Sequence, residues 1–515
     1  MDGKSLSDCF LRASLVYGKK IAISFLREGT VETEISYLDL DKDSNKMANT
    51  FLNMGVEKGD RIILCLEKSL IFVVACLALH KIGAVSVPLN PGSKKSEISY
   101  LVNDVRPKLI LAGTQQSKLI KEISDGIDII EINAGRAYQN LDFFRSASDN
   151  INHNLTGTKI ESKDPGLIIY TSGTTGKPKG AVLTQKNLVH DAENIIDIWE
   201  ITESDRLCHA LPLFHVHGLC FALHTALMTG SHVVMIDQFS PEKVIEVLTE
   251  KDKNYSCTIF MAVPSMYGKM MDYLKGKKPD FEHIRLWASG SAPLLIKDFK
   301  RIKKIFGKEP VEREGMTETG MNFSNPLRGV KKPGSIGLPL PDLKVRIVDI
   351  ETLTDAAPFQ EGEIWLKGSS ITPGYWQKPE ETARAFENGW FKTGDLGKVD
   401  KDGYYYLTDR CKNIIVSGGE NISPKEVEDV INQLKDVLES SVFGILDKKW
   451  GEKAVSAVVL KPGARLSSDA IKNYCKENLL NWKCPKDVLF LKELPKNSMG
   501  KVLKEELKEL FKKMS

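Results

Sequence analysis

The chain has 515 residues, enough for several domains and a large core. With 42% hydrophobic and 27% charged residues it is neither disordered nor collagen-like. Its 71 basic and 68 acidic residues leave a formal charge of +3, too weak a field to single out nucleic acid as a partner.

At the N-terminus, MDGKSLSDCF has early acidic residues and no apolar run, so neither a secretory nor an organelle signal is expected. The run from Ser69, SLIFVVACLALHKIGAVSVPL, is broken by His80, Lys81 and Gly83 and predicts a core helix entering a buried strand, with no integral membrane association. Further non-alternating strand signals recur at Arg61 to Glu67, Lys108 to Gly113, Ser231 to Asp237 and Cys257 to Val263, separated by helical stretches. That pattern predicts α/β layers with largely parallel sheets. From about Gly337 the texture changes to alternating strands and tight turns (KVRIVDI, GEIWLKG, DGYYYLTDR), a β-rich subdomain. Beyond Arg410 come amphipathic helices mixed with strands; Ser423 caps one helix and Pro424 stands in its first turn. The expected division is a body of 1–409 and a small α+β domain of 410–515. The nine cysteines are dispersed, with no C-x-x-C and no Cys/His grouping at zinc spacing, which predicts reduced thiols in a cytoplasmic chain.

The stretch YTSGTTGKPKGAV, Tyr170 to Val182, is made for phosphate. It fails as a P-loop, because only two residues separate Gly173 and Gly176 and Lys177 is followed by Pro178. A strand, GLIIY, leads in, and a helix from Gln185, capped by Thr184, leads out. Between them Thr171, Ser172, Thr174 and Thr175 with Lys177 and Lys179 form a loop able to close over a polyphosphate.

This motif belongs to a set. EREGMTETG (Glu312 to Gly320), GWFKTGDLG (Gly389 to Gly397), YLTDRCKNIIVSGGENISPKEVE (Tyr406 to Glu428) and PKNSMGKV (Pro495 to Val502) follow it in order. Together they closely resemble the adenylate-forming acyl-CoA synthetase superfamily, and the resemblance spans essentially the whole chain. It implies a carboxylic acid, ATP, Mg2+ and coenzyme A as reactants and cofactors, in a monomer or homodimer. The carboxylate attacks the α-phosphorus of ATP, expelling pyrophosphate, and the thiol of coenzyme A then displaces AMP. A C-terminal domain that rotates between the two steps is part of the same expectation.

Residue roles follow from the motifs. Lys501 matches the adenylation lysine that bridges acyl carboxylate and α-phosphate. Thr317 and Glu318 match the pair near that phosphate, with Glu318 and Thr171 as magnesium ligands, a hard carboxylate oxygen suiting that ion. Thr171, Ser172, Gly173, Thr174, Thr175, Gly176 and Lys177 are expected on the β and γ phosphates. Asp395 matches the ribose-diol acceptor and Arg410 its basic partner. Glu314, Gly315 and Met316 lie where adenine is held, and Glu314 stands where related enzymes commonly carry an aromatic ring. Lys412 occupies the hinge position, and Gly418 and Gly419 resemble the loop lining the pantetheine channel.

The acid itself is least legible. LPLFHVHGL places His215 at a gating or pocket-lining position, with His217 read as a packing histidine. HIRLWASGSAPL leads to the turn of Ser289 and Gly290. With GMTETGMNFSNPLRGVKKPGSIGLPLP, these segments look most like the malonyl-CoA synthetase branch. Burying a second carboxylate needs a cation, and Arg285 is the candidate. Fatty or aryl acids remain the alternative, with luciferase-like oxidation and carrier-protein loading as more distant ones.

Overall fold

A computed structural model describes residues 4–514 except 125, 134, 136, 142–143, 146–157, 172–176, 253–254, 418–419, 448–449 and 498–499. The chain forms two compact units, one of residues 1–344 and 367–391, the other of 345–366 and 392–515.

The first unit is built on two sheets. One runs in the order Asp128–Ile132, Leu109–Gly113, Arg61–Cys65, Val85–Pro88, Pro165–Thr171 and Lys179–Thr184, parallel until its last pair, an antiparallel hairpin. Arg61–Cys65, Val85–Pro88 and Leu109–Gly113 are buried almost throughout, which is why they read as continuous apolar runs. The helix Leu70–Ile82 joins two of them; Gly83 ends it in the left-handed conformation at φ 71°, and the chain turns into Val85. No helix among the described residues is long and apolar enough to cross a membrane.

The other sheet has nine strands, ordered Leu338–Pro339, Gly320–Ser324, Val311–Met316, Leu286–Ser289, Ile259–Ala262, Arg206–His209, His232–Ile236, Ile21–Arg27 and Thr30–Ser36. Its six central strands are parallel, so their carboxyl ends share one edge. That edge is where open α/β sheets bind ligands, because loops rather than backbone ladders line it.

In the second unit, Lys344–Val348, Gly362–Lys367, Trp390–Val399 and Tyr405–Arg410 form the β-rich part expected from the alternating sequence. A second, mostly antiparallel sheet of Glu420–Ile422, Ile415–Ser417, Gly451–Leu460 and Val437–Asp447 adds Asp487–Leu491 alongside Gly451–Leu460. Ser423 caps Pro424–Ile431 by accepting from the Glu426 N–H. This helix buries Val427 and Ile431 on the sheet with Ile471 and Cys475 of Ser468–Asn478. The α/β body and small α+β element read from the sequence are both present. The division expected near Arg410 differs from the boundary between the compact units, since 345–366 and 392–409 group with the C-terminal residues.

Candidate active site

The strand Pro165–Thr171 delivers Thr171 to the carboxyl edge of its sheet. Ser172, Gly173, Thr174, Thr175 and Gly176 lie outside the described residues. Thr171 Oγ1 donates to Glu318 Oε1 at 3.2 Å, and Tyr375 Oη donates to the same oxygen at 3.1 Å. Glu318, 7% exposed, is held from behind by its own carbonyl, which accepts the Thr372 N–H at 2.7 Å. Burial, and secondarily the Glu318 charge, raise the Tyr375 hydroxyl far above its usual range, so it stays a donor. The Thr171 and Tyr375 hydroxyls thus converge on one Glu318 oxygen. Tyr375 was not legible, because it stands 57 residues from Glu318 in sequence and carries no motif. A single buried carboxylate flanked by hydroxyls fits magnesium, which takes few protein oxygens and keeps water and phosphate as its other ligands. Lys177 sits 5.7 Å from the Tyr100 ring centre, an exposed cation at the loop's exit.

The motif EREGMTETG spans Val311–Met316, the turn bearing Thr317 and Glu318, and Gly320–Ser324. Asp191 fixes this turn: its Oδ1 accepts the Met321 N–H at 2.8 Å, and Gly320, at φ 73°, leaves no room for a Cβ against it. Gly315 is equally constrained, since a Cβ there would stand 2.6 Å from the Gly320 carbonyl oxygen; Met316 follows it at the strand's end. Glu314 is half-buried and accepts from Asn322 Nδ2 at 3.1 Å, so this position holds a hydrogen-bonded carboxylate rather than a stacking ring.

Ser289 ends the neighbouring strand Leu286–Ser289, and Gly290 follows it. Register pairs Ala288 with Val311 and Ser289 with Glu312, which brings Arg313 beside Gly290. A Cβ on Gly290 would lie 2.5 Å from Arg313 Nε, so glycine is what lets the guanidinium in. Arg313 is 2% exposed and its guanidinium stands 5.0 Å from the Phe221 ring centre. Its Nη2 reaches Ser291 Oγ at 3.5 Å, while Nε and Nη1 are buried with no hydrogen-bond partner. Burial pushes its pKa down to about 10, opposed by the Glu314 and Asp191 charges; it remains a cation at neutral pH. His217, 1% exposed, meets Ser291 Oγ through Nδ1 at 3.2 Å, and its Nε2 is unpartnered, as is Ser289 Oγ. Burial holds His217 neutral with help from Arg313. His215, half-buried with its ring 4.6 Å from that of Phe214, is pushed down to about 4 by burial.

Arg285 departs from expectation. Its Nε and Nη2 donate to Asp205 at 2.7 Å each, and Nη1 and Nη2 donate to the Trp199 and Glu200 carbonyls at 2.9 and 3.0 Å. These donors are spent at the amino end of Leu286–Ser289, whereas Ser289 and Gly290 stand at the carboxyl end, roughly 13–17 Å along an extended chain. Arg285 is a clamp on the scaffold. The buried cation with unspent donors at the carboxyl end is Arg313, within the EREG tetrapeptide.

In the second unit, Asp395 and Arg410 are cross-strand partners. Arg410 Nε lies 2.7 Å from Asp395 Oδ1 and Nη2 3.4 Å from Oδ2, with Asp395 5% exposed. The ribose pair expected from two separated motifs is thus brought together by sheet register. Lys412 lies in a short helical turn, Cys411–Asn413, and Gly418 and Gly419 fall outside the described residues. Lys501 is exposed on a tight turn in which Asn497 exchanges backbone hydrogen bonds with Gly500 and Lys501 and its Oδ1 accepts the Lys501 N–H. Gly500, at φ 77°, is the residue that permits the reversal.

Comparison with known proteins gives the class. The profile of the AMP-binding enzyme family matches residues 10–376, and that of the AMP-binding enzyme C-terminal domain matches 426–501. The chain belongs to the AMP-binding enzyme family, and within it is an ATP-dependent acid–CoA ligase, with ATP and coenzyme A as substrates. Among its relatives, the mitochondrial malonate–CoA ligase ACSF3 of Bos taurus is 34% identical, covering 87% of this chain and 81% of that protein. A long-chain-fatty-acid–CoA ligase of Bacillus subtilis is 30% identical over 99% of this chain and 95% of its own. The crystal structure of ATP-bound MatB from Rhodopseudomonas palustris superposes with a TM-score of 0.91 at 32% identity, covering both chains fully.

Proposed function

We propose that the protein converts a short dicarboxylic acid, malonate or a methyl-substituted malonate, into its mono-CoA thioester. The observation that carries this reading is Arg313, a buried cation with two unused N–H donors beside Ser291 and His217. A guanidinium taken out of water without a partner is costly, and a carboxylate returns two charge-assisted hydrogen bonds at once. A monocarboxylic acid of equal length would leave those donors unmet. The bovine relative's substrate agrees; the Bacillus relative's does not, and its activity defines the competing outcome.

The acid's other carboxylate is the nucleophile. Two anions must meet when it attacks the α-phosphorus, so positive charge and fixed donors are needed where charge builds up. Lys501 supplies one such charge; its role, like the nucleotide roles of Ser172 to Lys177, comes from the motif. Magnesium, held by Glu318 with Thr171 and Tyr375 beside it, would offset phosphate charge. Asp395 accepts the ribose diol while Arg410 orients the carboxylate. Lys412 is the proposed hinge between the two half-reactions, with Gly418 and Gly419 at the pantetheine arm. A reducing, cytoplasmic setting belongs to the same proposal and is supported by nine free cysteines.

The test is acid-dependent exchange of labelled pyrophosphate into ATP, followed by acyl-CoA formation, across malonate, methylmalonate, propanoate, octanoate and benzoate. Malonate is expected to exceed propanoate by ~100-fold or more in kcat/KM. Octanoate or benzoate outperforming malonate overturns the dicarboxylate reading and leaves the ligase standing. Lys501→Ala should abolish exchange yet spare thioester formation from supplied acyl-adenylate; equal loss of both removes its assigned role.

A further inference from the structure

The π-helix His217–His224 carries His217 and Phe221 to the acid pocket, and it also carries Cys220 and His224. The His224 ring meets the His80 ring edge-on, with centroids 5.7 Å apart, and Phe10 closes its other side at 5.6 Å. Cys76 precedes His80 by one turn in Leu70–Ile82, just as Cys220 precedes His224, so each helix offers a C-x-x-x-H pair. Ligand atoms of Cys76, His80 and His224 lie within 4.8 Å of one another, and the three residues are 2%, 0% and 2% exposed.

Neither nitrogen of His80 nor of His224 has a hydrogen-bond partner. Nearly all buried polar groups in folded proteins are paired, so four orphaned imidazole nitrogens in one place call for a common occupant. The surroundings are polar in the same way. Gln185 Nε2, which with His80 walls the bare Cα of Gly166, is also unpartnered.

We propose that Cys76, His80 and His224 form a buried structural site for a thiophilic divalent cation of the zinc type. Three ligands are assembled already. One thiolate and two neutral imidazoles are a donor set that such an ion takes readily. A hard-oxygen ion such as magnesium is excluded by the donor set. The sequence shows no zinc pattern because the ligands are divided between two distant helices, a Cys/His pair on one and a single histidine on the other.

Such an ion would pin the π-helix to Leu70–Ile82 behind the wall of the acid pocket, whichever acid that pocket takes. The purified enzyme is analysed for metal by mass spectrometry, stripped with a zinc chelator, and reloaded with cobalt(II). Expected are one zinc ion per chain, thiolate-to-cobalt charge transfer with the intense visible bands of a tetrahedral site, and a rise in Tm on reloading. His224→Leu should reduce metal content to background, and Cys76→Ser should remove the charge-transfer band. Substoichiometric metal and a featureless cobalt spectrum in the parent overturn the proposal, as does full metal retention in a His80→Leu, His224→Leu double variant. A metal-free parent with leucine variants more stable than itself identifies the cluster as unpaired core histidines, since apolar replacements relieve unmet polar groups.

Discussion

Two arginines stand at opposite edges of one sheet and have opposite fates. Arg285, at the amino end of Leu286–Ser289, spends its nitrogens on one carboxylate and two carbonyls. Arg313, beside the carboxyl end, is more deeply buried and has two nitrogens unspent. A cation whose donors are consumed by the scaffold is a fastener, and one held in reserve away from water is a receptor. Residue type does not separate them; the sum of satisfied donors does.

The largest expected effect sharpens that contrast. Arg313→Met should lower kcat/KM for malonate by ~100- to 1,000-fold, the usual loss when one partner of a buried ion pair is removed, with little change for propanoate. Parallel activity profiles against both acids, comparing parent and variant, would break the assignment. Next is acid stability. The pocket edge keeps its histidines neutral, His215 being pushed to about 4 by burial. A depressed folded pKa means its contribution is present above the unfolded value near 6.5 and is lost as pH falls through about 4. Denaturant midpoints measured from pH 7.5 to 4 should therefore fall, by about 3 kcal/mol from this residue, and His215→Gln should flatten that part of the profile.

Arg285→Met should destabilise the fold by ~1–3 kcal/mol, because Asp205 loses its partner with a side chain only 4% exposed. Its malonate-to-propanoate ratio should equal the parent's; a selective loss of malonate would return Arg285 to the pocket. The smallest effect is Tyr375→Phe, which removes one donor to Glu318 and should cost about 1 kcal/mol, read as a few-fold higher magnesium requirement in the exchange assay. An unchanged magnesium dependence would separate Tyr375 from the metal-binding point.

The motifs made much of the nucleotide half legible. Short-range spacing carries Thr317 with Glu318 and the Asn497 to Lys501 turn, and cross-strand register joins Asp395 to Arg410, the two residues that the resemblance puts together. The acid half is less legible, because Arg285 stands before SGS in sequence while its partners, Asp205, Trp199 and Glu200, are some eighty residues away. Tyr375 was invisible for the same reason. Its contact with Glu318 depends on how two loops fold back, and a lone tyrosine in a polar stretch carries no periodic signal.

By itself the sequence determined the parallel α/β body, the small C-terminal α+β element and the acid-activating class. Those properties rest on local periodicity, turn chemistry and contiguous motifs, all written over a few neighbouring residues. Only the tertiary structure decided which arginine spends its donors on the scaffold, which hydroxyls join Glu318, and that Cys76, His80 and His224 meet in the core. Each of those depends on donors satisfied or left unsatisfied by residues far away in the chain, and that balance exists only once the sheets have brought them together.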